Sequence, residues 1–185
     1  GNDYYNEVIV GRFCCETVAQ VTNHVNKVLN YERDLDENAT WLTVGQGVSK
    51  NEGAGQGHYG EADYQHIDLI RDDLLAYNYA EVHRDYQGVS GVSSSADVVS
   101  QHINGGVSII NYCNHGYVTG WGVFNYSNSH VNALTNDYKL PYVISVACLN
   151  GKYDNSSPCF AEAWMRATNN SNGNPTGAIG GMFSY

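Results

Sequence analysis

The chain has 185 residues, with 42% hydrophobic content and a net charge of −10 from 9 basic and 19 acidic side chains. That length suits one domain with a sizeable core. The acidity argues against nucleic acid or an anionic membrane as partner, since both select basic patches, and no apolar run approaches membrane-spanning length.

Val8–Val10 reads as a strand running into a loop at Gly11–Phe13. Thr17–Arg33 reads as a helix started by Glu16 or Thr17. Val18, Val21, Val25, Val28 and Leu29 recur at helical spacing and are expected to pack in the core. Trp41–Val44 with Val48 reads as a strand, followed by a glycine-rich loop over 50–60. That loop lacks the Lys-Ser/Thr of a phosphate-binding loop and the dinucleotide pattern. Glu61–Tyr77 is a helix with Tyr64, Ile67, Ile70, Leu74 and Leu75 apolar, and Glu61 and Asp63 complement its N-terminal dipole. Ala80–Asp85 is a short, polar, edge-like strand. Ser94 or Ser95 caps a helix over Ala96–Ile103 that ends at Gly105-Gly106, with His102 expected on an exposed face.

Two β-branched runs follow, Val107–Cys113 and Tyr142–Ala147, and both read as strands buried on two faces. A helical pattern over Ser129–Thr135 lies between them, which makes a βαβ unit with parallel strands. The aromatic loop Tyr117–Ser127 suits either subsite walls or core cover. Ser157-Pro158 caps a helix over Cys159–Thr168 that buries Phe160, Ala163, Trp164 and Ala167, and a last strand lies within Thr176–Tyr185. The alternation predicts an α/β fold, a three-layer α/β/α sandwich with a mostly parallel sheet. The five cysteines are odd in number and lack metal spacing, so no disulfide framework is expected.

The two strands end in Asn114-His115-Gly116 and Cys148-Leu149-Asn150-Gly151. Carboxyl ends of parallel strands open into one crevice, where such sheets place their sites. An imidazole there can take a thiol's proton or stabilise its thiolate and later protonate a leaving amine. The main-chain N–H groups of Gly116 and Cys148 are candidates for an oxyanion hole. A buried structural cysteine with an unrelated loop histidine is the competing reading.

The segments Ile109–Gly116 and Val143–Gly151 resemble the His-Gly and Ala-Cys motifs of the caspase–legumain–gingipain clan of cysteine peptidases, above all the arginine-specific gingipains. The resemblance continues through residues 1–8, 11–13, 30–33, 133–136, 140–141, 158–163 and 165–167. It implies a caspase-like fold and an endopeptidase with Cys148 as nucleophile, His115 as acid–base and Glu52 as the partner of the imidazole. It implies that Asp63, in Glu61–His66, lies at the base of an arginine pocket, so that the substrates are proteins or peptides containing arginine. It further implies structural calcium at Asp3, Glu7 and the main-chain carbonyl of Tyr5, and a metal site shared by Glu61 and His66. No organic cofactor is expected. Secretion from a bacterium and association with other chains of one precursor follow from the same likeness. Gingipain catalytic regions are longer at both ends, so this chain is expected to be part of such a region. Catalytically inactive peptidase-like binding and the same chemistry with lysine or asparagine specificity remain the alternatives.

Overall fold

A computed structural model describes residues 11–185. The strand expected at Val8–Val10 and the calcium ligands expected at Asp3, Tyr5 and Glu7 lie outside the described residues. Among the described residues the main sheet has five parallel strands. They are β1 (Val44–Lys50), β2 (Glu81–Gln87), β3 (Ile109–Cys113), β6 (Tyr142–Val146) and β7 (Gly180–Phe183), in the order β2-β1-β3-β6-β7. A short antiparallel hairpin, β4 (Gly116–Tyr117) and β5 (Gly120–Trp121), stands after β3.

Right-handed crossovers dictate where the helices lie. The chain leaves β1 for the β2 edge through α2 (Asp63–Ala76), then returns across β1 to β3 through α3 (Ala96–Gly105). Opposite directions of travel place α2 on one face and α3 on the other. The later crossovers continue in the returning direction through α4 (Asn128–Val131) and α5 (Phe160–Arg166). The core therefore collects between the α3/α4/α5 layer and the strand residues that point toward it, Val48, Ile110, Tyr112 and Val143. Trp121 and Tyr126 are fully buried there, with Trp121 stacked on Tyr112 at 4.4 Å and edge-on to Phe160 at 5.1 Å. The aromatic loop is thus core cover rather than subsite wall. Opposite, Gly47 lets α2 approach: a Cβ there would lie 2.4 Å from Ile67.

Several expectations shift. Thr40–Thr43 is a 3-10 turn and the first strand starts at Val44, whose sequence carries two glycines and three polar residues although its middle is buried. β6 is buried on one face only: α2 packs on β1, β2 and β3, and leaves Tyr142 and Val146 exposed. The crossover between β3 and β6 contains one helical turn, Asn128–Val131, and the helix α5 starts from Cys159 rather than from Ser157-Pro158.

The largest correction concerns α1 (Val18–Glu32). Thr17 caps it through a reciprocal pair with Gln20, but the valine stripe does not enter the core. Val18, Val21, Val25 and Leu29 are 83, 46, 42 and 40% exposed, whereas Asn23, His24 and Lys27 are buried. The reason is a cluster of carbonyls at the C-terminus of α5 and at Ala178 that faces α1 and takes its donors. Lys27 Nζ donates to the carbonyls of Trp164, Met165 and Ala178 at 3.3, 2.9 and 3.0 Å, and Asn23 Nδ2 to those of Arg166 and Ala167 at 3.1 and 3.3 Å. Polar donors are needed on the inner side, so the apolar stripe faces out.

Candidate active site

The site forms where strand order reverses, between the carboxyl ends of β1 and β3, and extends to β6. Each strand delivers one group. β1 runs into Glu52, β3 into His115-Gly116 and β6 into Cys148. The register pairs Ser49 with Cys113 and Cys113 with Val146, so the three strands end level with one another.

Cys148 follows β6 by two residues, and Leu149 after it adopts φ +63°. A non-glycine residue in the left-handed region costs about 1 kcal/mol or more, and persists where the surroundings over-determine it. Asn150 provides that constraint. Its Nδ2 donates to the carbonyls of Tyr117 and Gly120 at 2.7 and 3.0 Å, while its Oδ1 accepts from Ser145 Oγ at 2.8 Å. Ser145 Oγ in turn accepts from Trp121 Nε1 at 2.9 Å. This buried chain ties the cysteine turn to the β4–β5 hairpin that follows His115. Asn150 was not among the expected site residues, although it stands between Cys148 and Gly151.

Gly116 is where the two turns meet. A Cβ there would lie 2.7 Å from Ala147 Cβ, 2.7 Å from the Cys148 carbonyl oxygen and 3.0 Å from Asn150 Nδ2. Glycine is the residue that permits this approach. The N–H of Cys148 donates to no main-chain carbonyl among the described residues. The main chain of His115 is fixed by two donors, the Tyr112 hydroxyl and the N–H of Gly122, on its carbonyl oxygen. Its ring is 72% exposed, with Nε2 3.4 Å from Glu52 Oε2. No hydrogen bond joins Cys148 Sγ to the imidazole; both side chains are exposed on the same rim.

Glu52 accepts on its other oxygen from Lys50 Nζ at 2.7 Å. Lys50 holds this carboxyl below its ordinary range against the opposing effect of desolvation, and His115 adds a lesser pull in the same direction as Lys50. All five cysteines are free thiols. Cys113, two residues before His115, is half-buried, and burial followed by the Asp63 charge pushes its thiol up to about 11. It stays protonated at neutral pH and is no rival nucleophile.

Asp63 is the first residue of α2, half-buried, and Asn114 Nδ2 donates to its Oδ2 at 2.6 Å. The specificity candidate and the residue beside His115 are therefore in direct contact. Glu61 lies just before α2 with Oε1 2.8 Å from His66 Nδ1, and its Oε2 accepts from the N–H of Tyr59 at 2.7 Å. Those hydrogen bonds, after that of its own main chain, keep its carboxyl below the usual range. One carboxylate and one imidazole are a poor donor set for calcium, which takes six to eight oxygens. Among the described residues no cluster of three His, Cys, Asp or Glu side chains is arranged to hold a metal.

The model of peptidase family C25 matches residues 1–184. Gingipain R2 of Porphyromonas gingivalis is 38% identical over 179 residues, 97% of this chain and 24% of that protein. Lys-gingipain W83 of the same organism is 30% identical over 171 residues, 89% of this chain and 9% of that protein. Among solved structures, the Arg-specific cysteine proteinase gingipain R matches with a TM-score of 0.87 and 38% identity, covering 97% of this chain and 40% of that one. The chain thus spans about a quarter of one curated relative and less of the other. With the caspase-like parallel sheet and the order of its strands already established, the match over nearly every residue makes the conclusion direct: this chain belongs to peptidase family C25.

Proposed function

We propose that the chain carries the catalytic centre of a secreted bacterial cysteine endopeptidase that cleaves after arginine. The observation that supports it most is the contact of the His115-Gly116 turn with the Ala147-Cys148 turn, with Glu52 on the far side of the imidazole. In this reading Cys148 Sγ attacks the scissile carbonyl as thiolate and forms a C–S bond, and the carbonyl oxygen becomes an oxyanion held by the N–H groups of Gly116 and Cys148. With Nε2 turned to Glu52, Nδ1 of His115 is the nitrogen left to give its proton to the departing amine. The same nitrogen then removes a proton from water, which attacks the thioester and releases the acid and the thiol. Glu52 fixes the ring's tautomer and orientation, the part of the third residue in a triad.

Asp63 is the proposed selector. Arginine's planar guanidinium can bind a carboxylate in two parallel bonds, which a lysine ammonium cannot reproduce. A structural calcium ion at Asp3, Glu7 and the Tyr5 carbonyl belongs to the same proposal and rests on family likeness. Among the described residues no helix is long and apolar enough to cross a membrane.

A peptidyl-arginine chloromethyl ketone tests the reading. One adduct on Cys148, lost in Cys148→Ala, together with faster hydrolysis of arginyl than of lysyl or asparaginyl amides, is the expected result. An unmodified Cys148 under conditions where iodoacetamide labels it would overturn the arginine reading; no labelling by either reagent would overturn the nucleophile.

A further inference from the structure

Among the described residues the half-buried and buried acids are almost all paired with a cation or an imidazole. Glu61 faces His66, Asp68 faces Arg84, Asp85 faces His102 and Glu162 faces Arg166. Asp137 is neutralised differently, by the amides of Asn169, Asn172 and Asn174. Asp63 has neither. Among the described residues its side chain has one partner, the Asn114 amide, and residues 1–10 contain no Lys, Arg or His. A carboxylate kept partly from water without a cation is costly unless something oriented satisfies it.

Because a carboxylate only accepts, the atom of Asn114 at 2.6 Å is its nitrogen, and the amide oxygen is left without a partner among the described residues. The bond uses one lone pair of Oδ2 and leaves the other, together with both of Oδ1, open to a forked donor. Asn114 is at the end of β3 and shares a peptide bond with His115, so the same backbone that sets the imidazole sets the amide.

We propose that Asn114 is the positioning residue of the specificity pocket, locking the Asp63 carboxylate in the rotamer that presents Oδ1 and the free lone pair of Oδ2 to the basic side chain of the substrate. This rests on the reading of Asp63 as selector. The main-chain dipoles at the start of α2 attract the side chain's charge without fixing its rotation; the Asn114 amide fixes it. Selectivity for a forked cation over a point charge depends on that rotation, because two parallel N–H···O bonds need the carboxylate plane aligned with the guanidinium. The amide is thereby coupled to the chemistry through one peptide unit, and any shift of Asn114 is felt at both the pocket and the ring.

Steady-state kinetics on matched arginyl and lysyl amides test it in the intact protein, normalised to the fraction of molecules whose Cys148 alkylates with iodoacetamide. Asn114→Ala is expected to raise KM for the arginyl amide about tenfold, with most of the loss in KM rather than kcat, and to narrow the arginine-to-lysine ratio. Asn114→Ser, which keeps a donor, is expected to recover part of that ratio. Asn114→Asp sets two carboxylates in contact and so raises the pKa of one of them. KM for the arginyl amide then falls as pH rises through that pKa, a dependence that Asn114→Ala lacks. The proposal is overturned if Asn114→Ala leaves KM and the ratio unchanged, or if Asn114→Asp shows no such pH dependence. Asp63→Asn separates the two levels. If it abolishes arginine preference and Asn114→Ala does not, the selector stands and Asn114 is excluded. If Asp63→Asn leaves the preference intact, both fall.

Discussion

The α-carbon of Gly116 faces the carbonyl of Cys148 so closely that a Cβ would come within 2.7 Å of that oxygen. The backbone there cannot accept even a methyl group without parting the two turns. Gly116→Ala is expected to cost roughly 1–3 kcal/mol in overpacking. Activity should fall by about a hundredfold or more, the scale of losing one oxyanion donor. Thermal unfolding and kcat/KM on the same preparation check this; a fully active Gly116→Ala variant would remove the proposed oxyanion hole.

The Trp121–Ser145–Asn150 chain binds the nucleophile's turn to the hairpin after His115. Asn150→Ala removes the donor to the buried Gly120 carbonyl and the part-buried Tyr117 carbonyl, and the acceptor of the Ser145 hydroxyl. The expected cost is about 1–3 kcal/mol for each group left unsatisfied, together with slower alkylation of Cys148 as Leu149 leaves its left-handed conformation. Asn150→Asp keeps the shape but loses both donors, and is expected to be no better. Denaturant titration and the iodoacetamide rate measure the two effects separately.

Lys50 is the first cause of the low pKa of Glu52. Removing it as Lys50→Met lets that pKa rise toward the ordinary carboxylate value. If ionised Glu52 orients His115, the acid limb of kcat/KM moves to higher pH in this variant. Glu52→Gln eliminates that ionisation and lowers kcat/KM across the range. A limb unmoved by Lys50→Met would show that Glu52 does not govern the imidazole.

Burial lowers the Lys27 pKa from its ordinary 10.5 to about 7 in the folded chain. Between those values the unfolded chain holds a proton that the folded chain has released, so this group makes stability rise with pH over that window. His24, lowered to about 4 first by burial and then by Lys27 and Arg166, is already neutral there and adds no slope. Lys27→Met is expected to flatten the rise, read as unfolding free energy between pH 7 and 10. It also removes the side-chain donor to the carbonyls of Trp164, Met165 and Ala178, so the variant is expected to be less stable at every pH.

The parallel pair bearing His115 and Cys148 was legible because β-branched runs ending in turn residues carry a strong local signal, and β3 and β6 do pair in parallel. β1 was misplaced by several residues. Its buried middle is Gly45-Gln46-Gly47-Val48-Ser49, where tight helix packing and hydrogen bonds to Asp85 and the Cys113 carbonyl replace hydrophobic bulk. In α1 the periodicity marked the helix correctly but gave no sign of which side docks. That choice belongs to the carbonyls at the end of α5 and at Ala178, 137 and more residues away. His102, expected on an open face, is drawn inward by Asp85 at 2.9 Å and stacks on His83 at 3.9 Å. Asn114 and Asn150 escaped notice for a similar reason: in an Asn-rich chain only the partner reveals the role, and the partners are distant in sequence.

Asp63 hangs from the same connection as Glu52, whereas Cys148 and His115 hang from connections on the other side of the sheet. Inheritance therefore cannot treat the proposed selector and the proposed chemistry as wholly separate. A lineage that alters the start of α2 works within the connection that carries Glu52, and one that alters Asn114 works on the residue joined to His115.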